Sequence, residues 1–300
     1  MEHLAIDEYQ LDRPGRYIII TPMRNEIKSI NSTINSVLNQ TCMPKLWLII
    51  DDGSTDGSSE LVDDYAAIHR WIIRIPKPDR GFDFVGKGVA DILNYGFGLV
   101  KNIDIEFISK LDADLSFAED YFERLLAEMD KNPLLGIISG VPYIIENNKK
   151  TYEWHSDYFP SGTARLYRKI YLREIGSFVS SVGWDTVDIL RMKMRGYDTK
   201  VDNSTEVHHM RPMGTRKSYY DGMIRDGRNN YITGYSSWFF LLRSLYNAKN
   251  YPYLIRTICM LYGYLYATIT RMPRAVTEEE RKFHVQFQMN RIKKALLGAG

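Results

Sequence analysis

From Tyr17 onward, short apolar runs alternate with segments of helical spacing, and the alternation is regular enough to predict an architecture. "YIIIT" is a β-branched run of strand length, "LWLIIDD" a second, "WIIRI" a third and "IEFISKLD" a fourth. Between them "SINSTINSVLNQ" sets Ile30, Ile34, Val37 and Leu38 on one side of a helix. "DGSSELVDDYAAI" predicts a helix with Asp56 as its N-cap, and "KGVADILNYGFGLV" predicts another. Strand and helix in turn imply an α/β fold, a mostly parallel sheet flanked by helices on both faces. Ligands of such sheets bind beyond the carboxyl ends of the strands. That edge is where "TPMRNE", "DDGSTDGS" and "DAD" fall, with Pro22 expected to end the first strand.

The second half changes character. "LGIISGVPYII" is apolar enough for a strand, whereas "TYEWHSDYFPSGTARLYRKIYLREIG" mixes aromatics with a Ser-Gly turn before a helix near Arg168. "GWDTVDILRMKMRGY" opens on a turn and continues as an amphipathic helix through Val187, Leu190 and Met194, with Asp188 expected as a first-turn acid favoured by the helix dipole. "TKVDNSTEVHHM" suggests a short strand pair or ribbon, and from Ser218 the chain becomes helical and tyrosine-rich. Thr277 is the expected cap of a last helix, "TEEERKFHVQFQMNRIKKALL". The predicted organisation is a polar leader (1–16), a sheet domain (17–215, dividing near residue 115) and a C-terminal helical region (216–300).

Composition narrows the class. A formal net charge of +2, with no compact Lys/Arg block, argues against a nucleic-acid partner. Cys42 and Cys259 stand far apart without metal-type spacing, which suits a reducing compartment and a cytoplasmic setting. The leader carries acids where a signal peptide needs a basic flank. The uncharged run from Thr257 to Thr270 stops short of the roughly 20 residues of a spanning helix, and Arg256 and Arg271 bracket it. Burial on the globular body and contact with the inner face of the cell membrane are equal expectations for it.

Three strand-end segments carry candidate chemistry. Asp112 and Asp114, one residue apart around Ala113, offer hard oxygens to a divalent cation that in turn holds a diphosphate, and one of them can reach a ribose. In "LIIDDGSTDGS" an aspartate, Asp51 or Asp52, can accept hydrogen bonds from a nucleobase while Gly53 and Ser54 permit a tight turn beside it. Thr21 and Pro22 face the same edge with their backbone, and Arg24 and Glu26 follow. A lone D-x-D is a weak signal, and any one of these segments is compatible with an ordinary surface turn; their order gives them weight.

With these pieces in register, the chain resembles the family 2 glycosyltransferases of the GT-A fold, a group that includes many bacterial and archaeal polysaccharide-assembling enzymes. The resemblance runs from Tyr17 to about His209 through "YIIITPMRNE", "LIIDDGSTDGS", "GKGVADILNYG", "KLDADLSF" and "GWDTVDILRMKMRGY". It implies a GT-A domain with a helical extension, a nucleotide-sugar donor, a Mn or Mg ion, and a glycan or lipid-linked acceptor. It also implies that Thr21, Pro22, Glu26 and Asp51 or Asp52 contact the nucleoside, that Lys87 lies near base or diphosphate, that Asp112 is near the ribose and that Asp114 is on the metal. Where the family usually has an acid before the aspartate of "GWDT", this chain has Trp184; the resemblance implies Asp185, the one carboxylate at the motif's core, as the general base, and capping of the helix through Val187 and Leu190 is its alternative role. One of His208 and His209 is expected on the metal or diphosphate, strand alternation sending the two to opposite faces. Arg211, Arg216, Arg225 or Arg228 could close over the diphosphate, and Trp154 and Trp184 are candidates for stacking on acceptor sugar rings.

The chemistry itself asks for such groups. In an inverting displacement an acceptor hydroxyl loses its proton as it attacks, and the departing nucleoside diphosphate needs its charge offset. A nucleotidyltransferase would ordinarily carry a glycine-rich basic loop after the first strand, which "TPMRNEIKS" lacks. A nucleotide-sugar binder without activity is the other alternative, disfavoured by the presence of Asp112, Asp114 and Asp185 together.

Overall fold

The computed structural model describes residues 13–78, 86–153, 157–211, 219–248 and 254–297. The four apolar runs form β1 (Tyr17–Met23), β2 (Leu46–Asp51), β3 (Ile72–Pro76) and β4 (Phe107–Leu111), all parallel, in the spatial order β3-β2-β1-β4. The helices between them are α1 (Ile30–Leu38), α2 (Ser58–Ile68) and α3 (Lys87–Val100). Every residue of β2 is buried, because helices cover both faces of this part of the sheet. Alternate side chains feed two cores: Ile19, Trp47 and Ile49 pack with Ile30, Ile34 and Val37 of α1, and Ile18, Ile20, Leu48 and Ile50 pack with Ala90, Leu93 and Phe97 of α3.

Beyond β4 the sheet continues through β8 (Ala164–Arg168), β6 (Leu135–Glu146), β9 (Asp198–His209) and β5 (Leu115–Phe117), with β7 (Lys149–Tyr152) paired to β6. Here antiparallel pairs (β4·β8, β6·β8, β5·β9, β6·β7) join a parallel one (β6·β9). Helices α4 (Tyr121–Lys131), α5 (Lys169–Glu174) and α6 (Trp184–Met194) complete this half. Strand order reverses between β1 and β4, whose pairing stops at Ile20 opposite Lys110. The crevice beyond that last pair is where ligands of open α/β sheets bind.

Several elements differ from expectation. β1 runs through Pro22 to Met23 rather than ending there, since β2 pairs with it as far as Asp51 and β4 makes no demand on a Pro22 N–H. Gly57, in the left-handed region at φ 93°, is the N-cap of α2; Asp56 stands one residue earlier and still accepts the Ser58 N–H at 3.1 Å. "TKVDNSTEVHH" is one strand, β9, with its register to β6 broken between Gly140 and Val141, rather than a ribbon. The strands β5, β7 and β8 had no apolar alternation to announce them.

The C-terminal helices are α7 (Tyr219–Ile232), α8 (Ser237–Asn247), α9 (Leu254–Ile269) and α10 (Glu278–Leu297). Helices α7 and α9 cross closely because Gly227 faces the Met260 carbonyl and Gly263 the Ile224 carbonyl; a Cβ on either would lie 2.0 Å from that oxygen. Thr277 caps α10 as expected, its Oγ1 accepting from Glu280 N at 3.2 Å while Glu280 Oε2 accepts from Thr277 N at 2.7 Å. Among the described residues no helix is long and apolar enough to cross a membrane.

His284 ties α10 to the α7–α8 turn. Its Nδ1 donates to the Thr233 carbonyl at 2.9 Å and its ring meets Tyr235 edge-on at 4.7 Å. Burial pushes its pKa down to about 4, with the Thr233 bond opposing and Arg291 and Arg243 assisting. A depressed histidine pKa means the folded state resists protonation, so its contribution is present above about 6.5 and is lost as pH falls through that value toward 4. The wild type should therefore lose roughly 3 kcal/mol more stability than His284→Gln between pH 7 and pH 4, read from denaturant melts of both. Parallel pH profiles would refute this.

Candidate active site

The loops after β1 and β2 are laced together by hydrogen bonds that account for most of their polar side chains. Asp51 Oδ1 accepts the Ser54 N–H at 2.9 Å, and Oδ2 accepts Ser59 Oγ and Arg74 Nη1, the latter at 3.2 Å. Ser54 Oγ accepts the Asn25 N–H at 3.1 Å, Asn25 Oδ1 accepts the Thr55 N–H at 2.8 Å, and Ser58 Oγ accepts the Glu26 N–H at 2.8 Å. Asn25, at φ 54°, is a residue type that tolerates this left-handed turn. Arg24 Nη1 donates to the Asp52 carbonyl at 2.8 Å. Asp51 and Ser54 thus shape the turn. Thr21 is fully buried and receives the Trp47 indole N–H at 2.9 Å; Pro22 lies beside it in the strand.

Asp114 and Asp112 separate at the end of β4. Asp114 accepts from Arg211 Nε at 3.0 Å and Nη2 at 2.8 Å, and the same Nη2 donates to both oxygens of Glu26 at 2.6 Å. One guanidinium therefore joins the loop after β1 to the loop after β4 across the crevice. His209 Nε2 lies 3.5 Å from Asp114 Oδ2, while its Nδ1 lies 3.0 Å from Glu153 Oε2. Burial raises the Asp114 pKa, but His209 and Arg211 outweigh it and hold the carboxyl down at about 2. Burial likewise lowers His209, and its bonds to Asp114 and Glu153 outweigh that, bringing it up to about 10. Asp112 pairs instead with Lys110 Nζ at 2.7 Å; burial, against Lys110 and reinforced by Asp114, pushes its carboxyl above the usual range. Ala113 between them points into the core.

The donor set can be tested for a divalent cation. A carboxylate oxygen and an imidazole nitrogen suit Mn, and Asp114 Oδ2 and His209 Nε2 approach each other closely enough to share one ion. Both ring nitrogens face carboxylates, so a cation would take the place of the Nε2 proton while the bond from Nδ1–H to Glu153, the usual second partner of a ligating histidine, held the ring. These residues fit a cation, with further oxygens to come from the ligand, since among the described residues no three His, Cys, Asp or Glu side chains converge on a single point. His208 is not part of this set. In the β5·β9 pair it stands opposite Ser116, whereas His209 stands opposite Leu115, so their side chains leave by opposite faces. His208 stacks on Tyr143 at 5.1 Å, which corrects its assignment as a metal ligand.

Asp185 occupies the first turn of α6, half-buried. It does not cap the helix: the N-cap is Gly183, at φ 76°. A Cβ on Gly162 would lie 3.2 Å from Asp185 Oδ2, so the absence of a side chain there gives the carboxylate its room. Lys110 Nζ donates to the Gly162 carbonyl, and thus the β4 strand end, Gly162 and Asp185 form one continuous wall. Trp184 is only 6% exposed, edge-on to Phe178 at 5.5 Å and within 5.7 Å of both Lys110 Nζ and the Arg165 guanidinium. It packs in the core, which corrects its assignment as an acceptor-stacking ring.

Asp188 also departs from expectation. Instead of a first-turn acid favoured by the helix dipole it is a buried partner of Arg165, whose Nη1 reaches its two oxygens at 2.9 and 2.8 Å, and of Tyr167 Oη at 2.6 Å. Lys87 is exposed at the start of α3. Trp154 and Arg216 lie outside the described residues. Sequence reasoning missed Glu153, Lys110, Gly162 and Arg165. The visible signal for Glu153 was an acid inside the aromatic stretch "TYEWH".

A parallel β3-β2-β1-β4 half, a mixed second half and carboxylates at the switch point define a protein of the GT-A class. The fold is shared with a mannosyltransferase from Pyrobaculum calidifontis, solved in complex with GDP-Man and Mn2+, at a TM-score of 0.58 and 17% identity over 97% of this chain and 89% of that one. The family model for Glycosyl transferase family 2 matches residues 18–185, more than half of the sequence, and the chain belongs to that family. It is 32% identical over 124 residues to the poly-beta-1,6-N-acetyl-D-glucosamine synthase of Staphylococcus epidermidis, a match covering 40% of this chain and 27% of that protein. It is 25% identical over 200 residues to the polyprenol monophosphomannose synthase of Mycolicibacterium smegmatis, 62% of this chain and 70% of that one. The match to the Staphylococcus epidermidis protein thus spans about a quarter of that protein's length.

Proposed function

We propose that the chain transfers a sugar from a UDP- or GDP-linked donor to a hydroxyl of a glycan or lipid-linked acceptor, with inversion, in the assembly of a polysaccharide or glycolipid. The observation that carries this reading is the continuous wall from Asp112 and Asp114 through Lys110 and Gly162 to Asp185, which sets a donor-side acid pair and a separate carboxylate on one crevice. Residues 17–115 would hold the nucleotide, with Asp51 or Asp52 toward the base, and residues 116–215 the acceptor. Asp185, held on a helix and flanked by a glycine, would take the acceptor proton as the new bond forms. Asp114 and His209 would hold a Mn or Mg ion, which when bound supplies positive charge opposite the departing diphosphate. Arg211 would exchange its carboxylate partners for diphosphate oxygens, which its guanidinium matches.

The test is thermal unfolding with UDP or GDP, with and without Mn. One nucleotide with Mn should stabilise the fold by roughly 2.7 kcal/mol at about a hundredfold excess over Kd, and Asp114→Ala should remove most of that gain. No metal-dependent shift with either nucleotide would sink the donor-site proposal.

A further inference from the structure

Residues 175–183 link α5 to α6 and deliver Asp185 to the crevice. Around Phe178 this link is neither helix nor strand, and α3 supplies the hydrogen bonds that a neighbouring strand would otherwise give. Asn94 Nδ2 donates to the Phe178 carbonyl at 2.7 Å, and Asn94 Oδ1 accepts the Phe178 N–H at 3.0 Å. One side-chain amide thus satisfies both backbone groups of a residue that is only 3% exposed. One turn nearer the start of α3, Asp91 accepts from Ser180 Oγ. At the N-cap, a Cβ on Gly86 would lie 2.6 Å from Val182 Cγ1, so the bare glycine lets the link lie against the helix. Residues 178, 180 and 182 therefore meet α3 at Asn94, Asp91 and Gly86 in turn, climbing from its middle to its start. That start lies at the carboxyl edge of the sheet, because α3 follows β3.

The clamped residue reaches the site by direct contact. Phe178 meets Trp184 edge-on at 5.5 Å and Tyr167 edge-on at 5.4 Å. Phe178 and Trp184 share one core with Ala90, Leu93 and Phe97 of α3. Trp184 immediately precedes Asp185, and Asp185 makes no cap bond to its own helix, so its place is set by the backbone that carries it. Contacts thus run without a break from a helix of the donor half to the carboxylate at the head of α6.

We propose that Asn94 is a positioning residue for transfer: by clamping Phe178 it fixes Trp184, and through Trp184 the reach of Asp185 toward the donor. The inference rests on Asp185 as the base of the proposed displacement. It gives Trp184, which stands where the family usually has an acid, the task of anchoring the head of α6.

The experiment measures kcat and donor KM for transfer, and the nucleotide-dependent thermal shift, in Asn94→Ala and Asn94→Asp. The aspartate keeps the shape and the bond from the Phe178 N–H but sets a carboxylate oxygen against the Phe178 carbonyl, and it carries the test if Asn94→Ala does not fold. Both variants should lower kcat about tenfold to a hundredfold while donor KM stays within about twofold and the thermal shift holds, the pattern of a misplaced reacting group. The control is Asn132→Ala at the end of α4, which also loses an amide bridge, to Asp198 Oδ2 at 2.9 Å and from the Leu134 N–H at 3.0 Å, and should keep the wild-type kcat. In a double-mutant cycle with Trp184→Phe the losses in kcat should be non-additive. Wild-type kcat in the folded Asn94 variants, an equal fall in Asn132→Ala, additive losses with Trp184→Phe, or loss of the thermal shift would each overturn the proposal, the last by assigning Asn94 to donor binding. Full transfer in Asp185→Asn is a separate result, which would overturn the base assignment and this inference with it.

Discussion

Asp185→Asn is expected to keep nucleotide and metal binding while lowering kcat for transfer by about a thousandfold. The amide is isosteric, so the wall beside Gly162 stays as it is, but it cannot take a proton from an attacking hydroxyl. The usual objection to such a variant is that a first-turn aspartate caps its helix. That role belongs here to the Gly183 turn, with no side-chain cap bond, and the remaining contribution of Asp185 to the helix dipole is worth only about 0.3–1 kcal/mol. The measurement is a pair: the nucleotide-dependent thermal shift, expected unchanged, and single-turnover transfer, expected lost. Full transfer in the variant would dismiss Asp185 as the base. Loss of the thermal shift would reassign it to donor binding.

The first half of the fold was legible because its physics is local. Strands buried on both faces must be apolar, and "YIII" and "LWLII" are, while the edge run "WIIRI" admits only Arg74; the helices between them show their faces in the spacing of Ile30, Ile34 and Val37. The second half hid its strands for equally definite reasons. β7 is exposed at all four positions, β5 has three residues, and β8, "ARLYR", carries two arginines. In composition Arg165 resembles a surface residue; only the fold shows that it is wholly buried opposite Asp188, 23 positions away in the chain.

The site divides in the same way. The order of "TPMRNE", "DDGS", "DAD" and "GWDT" placed the candidate groups on one crevice, but not their partners. Period-two alternation said that His208 and His209 leave by opposite faces. Choosing His209 needed the pairing of β9 with β5, which no local pattern encodes. No local pattern showed that Ser54, Ser59 and Arg74 engage Asp51. Glu153 became visible only through its contact with His209, 56 residues on.

The larger structural effect is expected at Arg165. Its guanidinium neutralises Asp188 and also donates Nε to the Ser161 carbonyl at 3.0 Å and Nη2 to the Pro160 carbonyl, so one buried side chain holds both α6 and the loop that precedes Gly162. Burial brings the Asp188 carboxyl up to about 6, against the pull of Arg165 and Tyr167, so at neutral pH it is ionised and needs its partner. Arg165→Met removes that partner and leaves a buried charge with the Tyr167 hydroxyl and the Ile189 N–H, a loss of about 3–5 kcal/mol in urea denaturation. The triple variant Arg165→Met, Asp188→Leu, Tyr167→Phe removes the charge as well, and should regain much of the stability because well-packed apolar replacements of a buried pair are often neutral. It cannot regain the bonds to Pro160 and Ser161. Transfer should therefore stay low in the triple variant while stability returns, a split that a purely structural ion pair would not produce. If activity recovers with stability, Arg165 positions nothing, and the loop before Gly162 holds itself.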